Sequence, residues 1–158
     1  MYAWVVFLHV LAALVFMLAH GGQAAVMLRF RGEADPERSL ALFNAVPDLL
    51  VLRVLLAVVV ISGLLAGAMG GWLSGGWMWA SLIVLGAVTL AMRRWGAGYY
   101  TLIEEAATRA LAERYSENAA AALDGFAAAR AAWHPIGVTV IGIAGIAVIL
   151  WLMMFKPF

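Results

Sequence analysis

Residues 2–28 read YAWVVFLHVLAALVFMLAHGGQAAVML, with no Asp, Glu, Lys or Arg among them. A helix needs about 20 apolar residues to cross the roughly 30 Å hydrocarbon layer of a bilayer. This stretch is long enough, and no basic region precedes it as one would in a cleavable signal, so it reads as a retained membrane helix. Three more such runs follow, at about Pro47 to Met69, Trp77 to Met92 and Ile136 to Phe155. All four are continuously apolar and lack the alternation of membrane strands, so helices rather than a barrel are expected.

Composition points the same way. Hydrophobic residues make up 66% of the chain and charged residues 12%, against roughly half and a quarter in a typical soluble domain. The expected solvent is the lipid bilayer. A net charge of +1, with the basic residues not gathered into one stripe, argues against nucleic acid as a partner. Cysteine is absent, which excludes disulfides and thiolate metal sites. The expected fold class is an all-α integral membrane protein, a four-transmembrane-helix bundle forming one domain over residues 1–158.

Orientation follows from the arginines. Arg29, Arg31 and Arg38 lie in the connection of about residues 29–46. Arg93, Arg94, Arg109, Arg114 and Arg130 lie in that of about residues 93–135. The turn from Gly70 to Gly76 carries no charge, and Lys156 is the one basic residue at that side. Both termini are therefore expected outside, with both charged loops in the cytoplasm of a bacterial cell bounded by this inner membrane. Trp72, Trp77 and Trp79, with Tyr2, Trp4 and Trp151, fit an outer aromatic belt. Trp95, Tyr99, Tyr100 and Trp133 fit an inner one.

Asp35-Pro36-Glu37 reads as an N-cap followed by proline at the first helical position, starting a short helix in the first loop that ends near Asn44. Pro47 is expected to start the second span. The second loop is expected to be helical over Tyr99 to Arg114, and again from a cap at Ser116 towards Trp133, with Leu123, Phe126, Arg130 and Trp133 on one face. Gly63, Gly67, Gly86, Gly142 and Gly145 are small residues that let membrane helices approach closely. Gly21-Gly22, directly after His20, fits an opening for a flat cofactor, because helix interiors otherwise disfavour paired glycine.

Ionisable side chains within membrane helices are costly and mark functional sites by default. His9 and His20 are eleven residues apart, which puts them on nearly one helical face but roughly 16 Å apart along the axis. They cannot share one ion, so a site built from all three histidines is excluded. The residues fall into two layers. His9 stands alone near the outer side; His20, Gln23, Asp48, Arg53 and His134 approach the inner side. Haem b is the leading candidate, with His20 and His9 as ligands and His134 as a second axial ligand to the His20 iron. Arg53 would neutralise a propionate. With three histidines, two bis-histidine haems are impossible in one chain. Copper or proton translocation is a third-ranked alternative, because the methionines are scattered as core fillers would be.

The opening Tyr2-Ala-Trp4-Val-Val-Phe-Leu8-His9, with its Leu-His pair early in the first span, resembles a broad group of small four-helix bacterial membrane proteins. The group includes the membrane domain of copper-resistance protein D, the haem-dependent protoporphyrinogen oxidases and several uncharacterised families. The closing Phe155-Lys156-Pro157-Phe158 is similar to the ending of those oxidases. His20-Gly21, the Arg31 to Arg38 loop and Trp77-Met-Trp79 resemble one of the uncharacterised families more closely. The resemblance implies a four-helix layout and His9 as a haem ligand. The oxidases pair that histidine with a lysine on a later span, and the third span here, Trp77 to Met92, has neither lysine nor histidine. Two functional expectations remain. One is a haem b protein that handles electrons or a porphyrin. The other is a non-catalytic accessory subunit of a larger respiratory or photosynthetic membrane complex, with partner subunits or a second copy on its glycine faces.

Overall fold

The structure, a computed structural model, describes residues 1–131 and 134–158; the side chains of Ala97 and His134 lie outside the description. Among the described residues every regular element is helical and there is no strand. The α-helices are α1 (Tyr2–Phe30), α2 (Pro36–Phe43), α3 (Leu49–Met69), α4 (Gly76–Ala91), α5 (Ala97–Ala112), α6 (Ala119–Ala131) and α7 (His134–Phe155). A short 3₁₀ turn, Trp72–Ser74, precedes α4, and a π-helical turn, Met92–Gly96, joins α4 to α5.

Four helical stretches are long and apolar enough to cross a membrane: Tyr2–Phe30, Leu49–Met69, Gly76–Ala112 and one ending at Phe155. The third continues as helix beyond Met92. The π-helical turn keeps it helical past Arg93 and Arg94 into α5. These stretches turn large apolar side chains outward; Leu18 is 81% exposed and Ile83 71%. Apolar surface on that scale is a liability in water and ordinary in lipid.

The helix starts follow their caps. Asp35 accepts a hydrogen bond from the Glu37 backbone N–H at 2.9 Å, with Pro36 in the first turn of α2. The second span begins two residues later than the Pro47 reading, because Asp48 is itself the cap. Its backbone is extended (ψ 167°), and its carboxylate accepts from the Val51 N–H at 2.9 Å. Likewise α6 begins at Ala119 and not at Ser116, whose hydroxyl accepts from the Asn118 N–H in the preceding turn.

The chain divides into two compact units. The first comprises Met1–Gly22, Pro47–Val88 and Ile143–Phe158. Its helices meet through small residues. A Cβ built on Gly67 of α3 would strike Met78 of α4, and one on Gly145 of α7 would strike Val88 of α4. The turn after α3 needs Gly71, whose φ of 73° lies in the left-handed region that side chains disfavour. There the last residues fold back. Lys156 adopts φ 45° just after α7, and the Trp77 N–H donates to the Phe158 carbonyl at 3.3 Å. The Lys156 ammonium sits 3.8 Å from the Trp72 ring centroid and 5.4 Å from that of Trp77. Tyr2 meets Trp72 edge-on. Trp72 and Trp77 thus hold the chain's own lysine, beyond the anchoring expected of an aromatic belt.

The second unit comprises Gln23–Val46 and Thr89–Gly142. Its core gathers Met27, Phe30, Tyr99, Ile103, Ala107, Ala110, Phe126, Ala129 and Val138. Phe30, Phe43 and Tyr100 pack as an aromatic trio, and the Tyr100 hydroxyl donates to the Gln23 carbonyl at 2.8 Å. Tyr99 and Tyr100 were expected in an interfacial belt; here Tyr99 is buried and Tyr100 half-buried inside this core. On α6, Ala122, Phe126 and Ala129 form the buried face while Leu123 stays half-exposed. The face expected from Leu123, Phe126 and Arg130 is therefore rotated towards the alanines. Trp133 lies outside the described residues.

Candidate functional site

The first unit gives His9 a defined environment. Its Nδ1 lies 3.0 Å from the Val59 carbonyl oxygen and 3.3 Å from Ser62 Oγ, both on α3. A carbonyl can only accept, so Nδ1 carries the proton and donates. Ser62 directs its own hydroxyl proton back to the Val58 and Val59 carbonyls, which leaves its oxygen able to accept from His9. In neutral imidazole the other nitrogen, Nε2, then holds the lone pair. Metal-bound histidines commonly have this arrangement: a backbone carbonyl fixes the tautomer and ring orientation and raises the basicity of the ligating nitrogen.

Gly63 makes the approach possible. A Cβ at that position would lie 2.8 Å from His9 Cε1 and 3.1 Å from Nδ1, so the imidazole rests directly on the bare α3 backbone. Gly63 thus has a more specific job than general helix packing: it seats the histidine. Neither Ser62 nor the Val59 carbonyl figured among the sequence-derived candidates. The available signal was a Ser-Gly pair inside an otherwise apolar span.

His20 is placed differently. Its ring stacks on Phe16 one turn earlier, with centroids 5.6 Å apart and planes 5° apart, and among the described residues it makes no hydrogen bond. No carbonyl or carboxylate fixes which of its nitrogens is protonated. Cβ atoms built on Gly21 and Gly22 meet nothing within 4 Å, so the neighbouring surface is open. Of the residues expected to accompany His20, Asp48 is occupied as the α3 cap. Arg53 is exposed, lining a shallow open groove on α3 with Leu56, Ala57, Val60 and Ile61. Gln23 and His134 belong to the second unit, and the His134 side chain lies outside the described residues.

Arg53 and His9 can be placed by depth. Val59, the residue that holds His9, is six positions beyond Arg53, or roughly 9 Å along α3. At about 100° per residue, buried Ser62, which also contacts His9, falls on the opposite face of α3 from exposed Arg53. Among the described residues no group of three or more His, Asp or Glu side chains converges on a metal-sized site. Any metal bound through His9 alone would need most of its ligands from a cofactor. Comparisons of the chain with family models, curated proteins and solved structures return no match.

Proposed function

We propose that this chain is a multi-pass protein of a bacterial cytoplasmic membrane in which His9 would hold a b-type haem. The observation that carries this reading is the hydrogen bond from His9 Nδ1 to the Val59 carbonyl, which turns Nε2 into a fixed lone-pair donor. A haem iron already has four porphyrin nitrogens, so one well-oriented imidazole suits it where a bare ion would lack ligands. When bound, the haem would supply one-electron chemistry at an iron tuned by its axial ligand and that ligand's hydrogen bonds. The chain's own residues do the rest. Val59 and Ser62 hold the imidazole proton at Nδ1, and Gly63 sets the ring's position. His20, with no orienting partner among the described residues, becomes the secondary candidate. The eight arginines of the two loops, set against Lys156 at the other side, support an orientation with both termini outside.

The test is the visible spectrum of detergent-purified protein expressed with a haem precursor. A haem absorption band is expected in the wild type and in His20→Ala, and its loss in His9→Ala. A colourless wild type, or a His9→Ala variant with an unchanged spectrum, defeats the proposal.

One observation favours the accessory-subunit reading as a second. Gly86 on α4 meets nothing within 4 Å, and Ile83, Ala87 and Leu90 around it are exposed. This small-residue face suits a partner helix. Stoichiometric co-purification of other membrane subunits would support that reading, and a monodisperse single chain would oppose it.

A further inference from the structure

Arg53 lies inside a helix suited to hydrocarbon. α3 runs over Leu49–Met69, 21 residues, or about 32 Å at 1.5 Å per residue, which matches the roughly 30 Å hydrocarbon layer. Its first residues therefore stand at the level of the lipid headgroups, and Arg53 is four positions further in, about 6 Å along the axis. Side chains on a helix lean towards its N-terminus, and an arginine is long enough to carry its guanidinium back to the headgroups. Among the described residues nothing neutralises that charge: Arg53 is exposed and makes no ion pair there. Residues 132–134 contain no carboxylate. Asp48, the nearest acid in the sequence, accepts from the Val51 N–H and lies about 140° round the helix from Arg53.

An apolar track continues from the guanidinium. Arg53, Leu56, Ala57 and Val60 follow the i, i+3, i+4, i+7 spacing of one helical face. With Ile61 they line a shallow groove that runs about 12 Å along α3. Leu56 and Val60 are half-buried, while Ala57 between them is exposed and offers only a methyl group. A guanidinium at headgroup level suits an anion that can take two parallel N–H bonds, as phosphate does. The groove below it suits a hydrocarbon chain joined to that phosphate. A phospholipid has both. Basic groups at the membrane surface favour anionic lipids, and phosphatidylglycerol carries no ammonium to compete for its phosphate. We propose that Arg53 and this groove bind an anionic phospholipid, its phosphate on the guanidinium and an acyl chain along Leu56, Ala57, Val60 and Ile61. The site needs α3 to lie in a membrane. It is on the face of α3 opposite Ser62 and His9, so it is independent of any haem there.

The test uses the whole chain in detergent. Its thermal unfolding is followed while phosphatidylglycerol, phosphatidylcholine or inorganic phosphate is added. Phosphatidylglycerol is expected to raise the unfolding midpoint at concentrations where neither of the others does. Arg53→Gln should weaken that response roughly fivefold or more. Arg38→Gln removes the same charge from an exposed arginine elsewhere and should leave the response intact. Ala57→Phe fills the groove and should weaken the response as Arg53→Gln does. Lipid retained through purification, counted by mass spectrometry, gives a second reading that does not depend on unfolding. Phosphatidylglycerol should be enriched over the bulk membrane composition in the wild type and not in Arg53→Gln. An undiminished phosphatidylglycerol response in Arg53→Gln or Ala57→Phe overturns the proposal. So does an equal loss in Arg38→Gln, or a wild-type response to phosphatidylcholine or inorganic phosphate as strong as that to phosphatidylglycerol.

Discussion

Substituting Gly63 by alanine tests the histidine site with a single methyl group. That methyl would sit 2.8 Å from His9 Cε1 and 3.1 Å from Nδ1, closer than carbon atoms tolerate. The ring is held against α3 by its bond to Val59, so it cannot retreat without losing that bond. Overpacking of this kind costs about 1–3 kcal/mol. Loss of an interhelical hydrogen bond in a membrane protein adds about 0.6 kcal/mol, and at most about 1.7. Alanine also gains about 1 kcal/mol in helix propensity over glycine, which would blur the result if Gly63→Ala were measured alone. Gly86→Ala supplies the control, because it makes the same gain at a position where nothing lies within 4 Å. The difference between the two variants should be about 2–4 kcal/mol. At about 2–4 °C per kcal/mol for a chain of this size, Gly63→Ala should melt at least about 4 °C below Gly86→Ala in the same detergent. Gly67→Ala should fall between them, since its obstacle is the end of the Met78 side chain and methionine adapts readily. Gly63→Ala melting with or above Gly86→Ala would refute the placement of His9 against α3.

Four more outcomes follow from named contacts. Phe126→Ala empties the centre of the second unit's core, where the ring is 1% exposed. It should cost about 3–5 kcal/mol, measured by thermal unfolding and by faster proteolysis of the loop around Tyr115. Lys156→Gln removes the ammonium from Trp72 and Trp77, at about 0.5–1 kcal/mol. Carboxypeptidase should then release the final residues faster, and an unchanged rate would mean that the tail is held by Phe158 alone. Asp35→Ala deletes the α2 cap and should lower stability by about 0.5–2 kcal/mol. By contrast, Glu37→Gln breaks only an exposed ion pair with Arg114 and should change the midpoint by less than about 1 kcal/mol.

The readable parts of this chain were those governed by local chemistry. Asp35 followed by Pro36 marks a helix start because a carboxylate can satisfy a free backbone N–H and proline has none to satisfy. Pro47 misled by two residues because the adjacent Asp48 caps the helix in the same way. Tyr99 and Tyr100 read as belt residues on type alone, yet the helix continues through Met92–Gly96 and carries both into a core. The site was harder. Ionisable and amide side chains able to pair with histidine gather in the sequence at the level of His20, and none stands at the level of His9. The structure gives His9 a backbone carbonyl, a group every residue carries, so the only residue types that mark the place are the neighbouring Ser62 and Gly63.

Four continuous apolar runs determine by themselves that the chain is helical and suited to lipid. In hydrocarbon each backbone N–H and C=O must be paired within its own segment, and length and hydropathy then decide which segments can cross. Which face of one helix meets which face of another is not encoded in any single run. It depends on where small residues allow two backbones to close together. Only the tertiary structure could show that Gly63 opens α3 to an imidazole from α1, that Val59 holds that imidazole's proton, and that His20 stacks on Phe16 without a hydrogen bond among the described residues.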